Sequence, residues 1–269
     1  RLNISSSAIN WFFAQSCIPA PLTIYDEVKK VLPGEIITFE VNKQLSSKFF
    51  WNLNDIVGSS NSSMQSDNLD SYVNKANELI DLSVSEQMVA DVRVGAFLSG
   101  GIDSSVIVSS MQKQSDIPIE TFSMGFGKND ELDQAGMIAK HLGTQHHELI
   151  CTKDDIIDQV ENLSKIYCEP FADSSQLPTY LLSKLTKKHV TVALSGDGGD
   201  ELFGGYNRYI AAESQLKNLF SYPLSLRKLI KKILNFLPSS SIDQLLSSIN
   251  LIIPKQYQLS DYGQKFQKI

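Results

Sequence analysis

Val94-Gly95-Ala96-Phe97-Leu98-Ser99-Gly100-Gly101-Ile102-Asp103-Ser104-Ser105 is the stretch that decides the fold. A short β-branched run over 92–98 ends in Ser-Gly-Gly, and a helical pattern starts directly behind it, so the reading is strand, tight turn, helix. Gly100 and Gly101 let the backbone approach an oxyanion with no Cβ in the way. The first amides of the helix have no intrahelical acceptor and face a bound anion. Ser99, Ser104 and Ser105 add hydroxyl donors. Asp103 among these anion-binding groups is repulsive unless a cation lies between, and Mg²⁺ bridging carboxylate and phosphate is the natural choice. The plainer reading is a strand-to-helix turn with a Ser/Asp N-cap. The string lacks Gly-Lys-Ser/Thr, so it is not a Walker A loop.

A second loop has the same grammar. The run 190–194 empties into Leu194-Ser195-Gly196-Asp197-Gly198-Gly199-Asp200-Glu201-Leu202-Phe203-Gly204-Gly205-Tyr206. Asp197, Asp200 and Glu201 fall so close together that a cation is needed for all to ionise comfortably. A solvated acidic turn is the plain alternative. The ligand spacing of an EF-hand is absent.

Between and around these loops the periodicity alternates. Leu69, Tyr72, Val73, Ala76, Leu79, Ile80 and Val84 follow a helical period, and strand-like runs recur at 120–124 and 145–150. The expected fold class is therefore α/β, a parallel sheet with helices on both faces, with ligands beyond the carboxyl ends of the strands. A smaller helix-plus-hairpin segment precedes it over residues 1–51. It comprises a helical pattern (Ile4, Ala8, Ile9, Phe12, Phe13), the turn Pro19-Ala20-Pro21, and runs 35–41 and 45–51 joined at Asn42-Lys43. A lone hairpin and helix must pack on something larger. Residues 52–67 are rich in Ser and Asn and read as a linker, which leaves 68–269 as the main domain. The tail reads as helical from Ser221-Tyr222-Pro223. Leu226, Leu229, Ile230 and Ile233 form one face, and Arg227, Lys228, Lys231 and Lys232 form the solvent face.

Bulk properties narrow the class. The chain has 269 residues and 42% hydrophobic content, enough for a real core. Its net charge of −6 argues against a nucleic-acid scaffold. Cys17, Cys151 and Cys168 are scattered, which argues against a disulfide framework and fits the cytoplasm. Cys17 reads as a packed thiol. No run reaches the ~18 apolar residues of a membrane span. Arg1-Leu2-Asn3-Ile4 reads like a cut inside a longer protein. His146-His147-Glu148 is a poor chelator as a unit, because adjacent side chains on a strand point to opposite faces. Glu131 and Asp133 fit a helix start.

The strings S-G-G-I-D-S-S, H-L-G-T-Q-H-H-E, E-P-F-A-D-S-S and L-S-G-D-G-G-D-E-L-F-G-G-Y resemble the synthetase domain of the glutamine-hydrolysing asparagine synthetases. The bacterial branch, with its enzymes of surface-polysaccharide clusters, is most similar. Ile18-Pro19-Ala20-Pro21-Leu22-Thr23-Ile24-Tyr25 and Leu32-Pro33-Gly34 are similar to the end of that family's glutaminase domain, so 1–51 is expected to be its remnant. The resemblance covers nearly the whole chain. It implies an adenine nucleotide alpha hydrolase (PP-loop, HUP-like) fold and ATP and Mg²⁺ as cofactors. The implied chemistry is adenylation of a carboxylate, aspartate in the type members, followed by attack of glutamine-derived ammonia. By position, the loop 99–105 binds pyrophosphate. Leu98, Met124, Ser195 and Gly196 contact adenosine, and Asp103 and Asp200 hold Mg²⁺. Asp197 occupies an acidic position, Glu in classical members, that helps orient ammonia or substrate. Partners implied are ATP, the carboxylate, ammonia, a glutaminase domain and, in a longer parent, a homodimer mate; neither nucleic acid nor membrane is expected.

Three departures qualify this. Arg1 stands where the family's nucleophilic cysteine is expected. Nothing after Tyr209 matches the family's lysine-bearing segment, so the fragment alone is expected to be inactive. Phe171-Ala172-Asp173-Ser174-Ser175 replaces a Thr/Arg-containing stretch, which leaves the acceptor carboxylate open. A nucleotide-binding module without turnover is the alternative. A tRNA-thiolating or NAD-forming ligase is a weaker rival, opposed by L-S-G-D-G-G-D-E and I-P-A-P.

Overall fold

The structure is a computed structural model that describes residues 1–60, 68–126, 130–207, 209, 212 and 220–228. The chain divides into two compact units, Arg1–Asp197 and Gly198–Ile269.

The first unit is built on a four-stranded sheet of β3 (Val94–Phe97), β4 (Glu120–Gly125), β5 (Gln145–Ile150) and β6 (Val192–Leu194). All strands are parallel, in the order β5-β4-β3-β6. The chain thus winds outward from β3 through β4 to β5, then returns to lay β6 on the other side of β3. The direction of winding reverses between β3 and β6, and open parallel sheets bind ligands at such a reversal.

Helices cover both faces, as the alternation predicts. On one face lie α3 (Leu69–Met88), α4 (Ile102–Lys113) and α5 (Asp130–Leu142). Val84, Ala96, Leu98, Val108, Met111 and Ala135 form the core there. Small Ala96 and Ala135, with the first fully enclosed in the sheet, let helices approach closely. α8 (Gln176–Thr186) lies against β4 and α6 (Lys153–Val160) lies beside α8. Phe122 is fully buried, and its ring meets the rings of His147 and His189. α6 starts with a capping box: Thr152 Oγ1 accepts from the Asp155 amide, and the Asp155 carboxylate accepts from the Thr152 amide. A short α7 (Leu163–Ile166) joins α6 to the loop before α8.

Before the sheet come α1 (Ser6–Gln15), the antiparallel hairpin of β1 (Glu35–Thr38) and β2 (Ser46–Phe49), and α2 (Leu53–Ser60). The strands are shorter than the runs read from sequence, because the turn at Asn42 (φ 65°) and the Glu40–Lys43 hydrogen bond take up the residues between. Leu53–Ser60 is helical where the composition reads as linker; Asn52 Oδ1 accepts the Asn54 amide and Asp55 sits in the first turn. Residues 61–67 lie outside the described residues. Cys17 is exposed, contrary to expectation. α1 ends in a left-handed Ser16, and the chain turns so that Ile18, not Cys17, goes inward.

In the second unit α9 (Gly199–Phe203) is flanked by left-handed Gly198 and Gly204. Tyr206 donates to Glu201 Oε1 at 2.7 Å and its ring meets Tyr209 edge-on. Residues 224–228 are helical, and the Pro223 carbonyl accepts the Arg227 amide. Leu229, Ile230, Lys231, Lys232 and Ile233, read as part of the two faces of the tail helix, lie outside the described residues. Among the described residues, no helix is long and apolar enough to cross a membrane.

Candidate functional site

The sheet topology brings the first Gly-rich loop and the start of the second together. β3 and β6 pair through Val94–Val192, Gly95–Ala193 and Ala96–Leu194, so both strands end at the same edge. The loop 99–101 leaves β3 and α4 begins at Ile102, with Gly101 as its N-cap residue and no side chain capping it. The uncapped first-turn amides are free for an outside acceptor. Asp103 lies in that first turn.

The loop holds its own shape. The Ser99 amide donates to Ser104 Oγ at 3.1 Å, and the two hydroxyls lie 2.9 Å apart. The Gly101 amide donates to Ser99 Oγ at 3.1 Å, and Ser105 Oγ donates to the Gly101 carbonyl at 2.6 Å. The three serines read as phosphate donors are thus occupied with one another and with the turn. What they leave for a ligand is the row of backbone amides. Ser104 is buried and Asp103 half-buried.

Gly196 is seated directly on this helix start. A Cβ built on it would fall 2.6 Å from the Ser104 nitrogen and 2.8 Å from the Asp103 carbonyl carbon. Real Cβ atoms do not come so close, so only glycine lets the two loops meet here. Ser195 Oγ donates to Asp197 Oδ2 at 3.0 Å and accepts the Asp197 amide at 3.4 Å, closing a small turn. Asp197 is exposed. Leu98 is enclosed in the core, and its amide donates to the Phe122 carbonyl at 2.8 Å, so it offers a ligand only its main chain. Met124 is half-buried near the end of β4. Asp200 belongs to the second unit, in the first turn of α9, where the Gly205 amide donates to its carbonyl at 3.0 Å.

Among the described residues no Lys or Arg pairs with Asp103, Asp197 or Asp200. Carboxylates without a protein cation are the donor set a hard divalent ion takes. The Asp103 carboxylate, half-buried beside the uncapped amides of α4, is of the donor type that Mg²⁺ takes.

Two neighbouring features belong to the frame. A groove of about 650 Å³ runs from Gly100 and Gly101 along α4 to Lys113. At its end Lys113 and Ser110 reach Asp81 at 2.7 and 2.6 Å, and Lys113, then Ser110, holds the Asp81 carboxyl below its ordinary range. In the loop before α8, Asp173 accepts the Ser175 amide and hydroxyl at 2.8 and 2.7 Å, which lowers its pKa, the amide contributing most.

The Asparagine synthase family model matches residues 75–255, more than half of the chain and both Gly-rich loops. The chain belongs to the asparagine synthase family. It is 36% identical over 211 residues to a putative glutamine-hydrolysing asparagine synthetase of Methanocaldococcus jannaschii, covering 77% of this chain and 40% of that protein. To asparagine synthetase 1 of Bacillus subtilis it is 34% identical over 239 residues, covering 88% of this chain and 36% of the relative. To the asparagine synthetase of Bos taurus it is 32% identical over 213 residues, covering 75% and 32%. The chain thus spans less than half the length of these relatives. In this asparagine synthase-family chain the matched span starts inside α3 and includes the whole sheet.

Sequence reasoning missed the seat of Gly196 on Ser104. Strand order carries that contact, and no local pattern encodes strand order. The S-G-D string after a strand was the available signal, and it says only that the turn is tight.

Proposed function

We propose that this chain is the ATP-pyrophosphatase part of a glutamine-dependent, amide-forming ligase. In this reading residues 1–51 are the end of a glutaminase domain, 52–67 a linker, and 68–269 the synthetase domain. The observation that supports it is Gly196 lying on the start of α4 at the sheet's winding reversal, beside first-turn amides that no side chain caps.

The free amides at the start of α4 hold the pyrophosphate end of ATP. The main chain at Leu98, with Met124, Ser195 and Gly196, borders the adenosine. Asp103 and Asp200 would each offer carboxylate oxygens to Mg²⁺, which when bound would neutralise charge on the departing pyrophosphate. The acceptor carboxylate attacks the α-phosphorus, pyrophosphate leaves, and ammonia then displaces AMP to give the amide. Activation is needed because hydroxide is a poor leaving group from a carboxylate. Asp197, exposed beside Ser195, orients the ammonia or the acceptor. Aspartate is the first acceptor to test.

AMP and pyrophosphate formation, followed in the longest available form of the protein with Mg·ATP, ammonia and a panel of acids, tests the proposal. Asp103→Ala is expected to lower turnover at least a hundredfold, about 2.7 kcal/mol of barrier, and to raise the Mg²⁺ requirement. Unchanged turnover in that variant would remove Asp103 from the metal site. ATP binding without AMP from any acid would instead mark a nucleotide-binding module.

A further inference from the structure

The opposite edge of the sheet, where the strands begin, gathers a second set of metal-ligating side chains. Glu120 opens β4, His147 is the third residue of β5, and His189 lies in the connection from α8 to β6. One ligand atom from each lies within 4.8 Å of the other two. His147 Nε2 and Glu120 Oε2 are 2.5 Å apart, and both side chains are mostly shielded, at 22% and 14% exposure. The His189 ring is exposed and its centroid lies 4.0 Å from that of His147.

The rings are oriented by packing. Phe122 stacks on His147 with centroids 5.1 Å apart at 14°, and meets His189 at 5.6 Å and 50°. Gly95 makes this possible: a Cβ there would fall 2.9 Å from Phe122 Cε2 and 3.1 Å from Val190 Cγ2, beside His189. The one cation near Glu120 among the described residues is Arg93, 4.0 Å away and 80% exposed. It competes weakly, since an exposed long side chain holds an ion pair at little gain.

We infer that Glu120, His147 and His189 form a site for one divalent transition metal ion of the Zn²⁺ class, remote from the nucleotide loops. Two imidazoles and a carboxylate suit Zn²⁺, Ni²⁺ or Cu²⁺, whereas Mg²⁺ takes oxygen donors. Ligand bonds of about 2.0–2.2 Å set tetrahedral donors roughly 3.5 Å apart. Closure therefore needs the exposed His189 ring to turn inward and the Glu120–His147 contact to open around the ion. A fourth position then faces solvent. The ion links the start of β4, β5 and the α8–β6 connection, which are far apart in sequence.

The test is titration of the chelator-treated full chain with ZnCl₂ by calorimetry, with Co²⁺ absorption as a geometric probe. One Zn²⁺ per chain is expected, with tetrahedral Co²⁺ bands, a raised melting temperature, and no competition from excess MgCl₂. His189→Ala changes an exposed ring; it should weaken Zn²⁺ at least tenfold and abolish the shift in melting temperature. Glu120→Gln should weaken it in the same way. Binding that survives His189→Ala, or that disappears only in a Cys17→Ser/Cys168→Ser variant, overturns the site, as does no binding at all.

Discussion

At the scale of single residues, Gly196 carries the most consequence for its size. Its neighbours are main-chain atoms of Asp103 and Ser104, which cannot rotate away. Gly196→Ala therefore forces the two loops apart by several tenths of an ångström. The expected result is at least a tenfold loss of ATP affinity by calorimetry, with about 1–3 kcal/mol lost in a denaturant melt from overpacking. A variant with unchanged affinity would show that the loops need not touch for nucleotide to bind. Asp103→Ala removes a carboxylate and adds no bulk against Gly196, so its effect should show in turnover and Mg²⁺ dependence and not as a steric loss of ATP affinity.

At the scale of elements, much was legible. Ser-Gly-Gly after 92–98 marked β3 and α4, and the period-3.6 run from Leu69 marked α3. The alternation of Gln145–Ile150 marked β5 with its two faces. His146 and His147 do point apart: His146 reaches Thr121 Oγ1 and Ser123 Oγ at 2.9 and 3.1 Å, and His147 reaches Glu120 across the sheet. What was not legible depends on strand order. That β6 lies beside β3, and that Glu120, His147 and His189 converge, are facts of tertiary arrangement with no local period. Asn52 capping α2 was missed for another reason: Ser and Asn favour turns and helix starts alike.

The β4–β5 pairing also predicts a pH response. Burial is the largest influence on His146 and lowers its pKa below 6.5; Glu148, 3.7 Å away, opposes this, and His147 adds to the lowering. A group with a lower pKa folded than unfolded is protonated first in the unfolded chain. Its cost to stability is therefore absent above 6.5 and grows as pH falls toward the folded value. Melting temperatures taken between pH 7.5 and 5 should fall more steeply in the native chain than in His146→Gln, which keeps polar contacts but does not titrate. Parallel curves would mean that His146 protonates as readily folded as unfolded.

At the scale of the first unit as a whole, the question is what ties residues 1–51 to the sheet. The hairpin itself is exposed on both strands. The attachment lies elsewhere, in the loop between α7 and α8. Glu169 pairs with Lys30 and accepts the Ile24 amide at 3.3 Å, Lys30 also donates to the Ile18 carbonyl, and the Ala172 amide donates to the Ser16 carbonyl at 2.7 Å. Ile18, next to these bonds in sequence, is buried as well. The Glu169 side chain is 18% exposed, so its contacts are shielded from solvent more than a surface pair's. Removing it takes the carboxylate from Lys30, which keeps only its bond to the Ile18 carbonyl, and leaves the Ile24 amide without its acceptor. Glu169→Ala is thus expected to cost about 1–2 kcal/mol of docking, roughly five- to thirtyfold in the population of the undocked segment. Limited proteolysis reads this directly: cleavage within 1–51 should accelerate by that factor while cleavage within the sheet domain stays unchanged. Equal acceleration at both would mean that the segment is an integral part of one cooperative core, and no acceleration would place the attachment in Ile18 and the Ala172 bond alone.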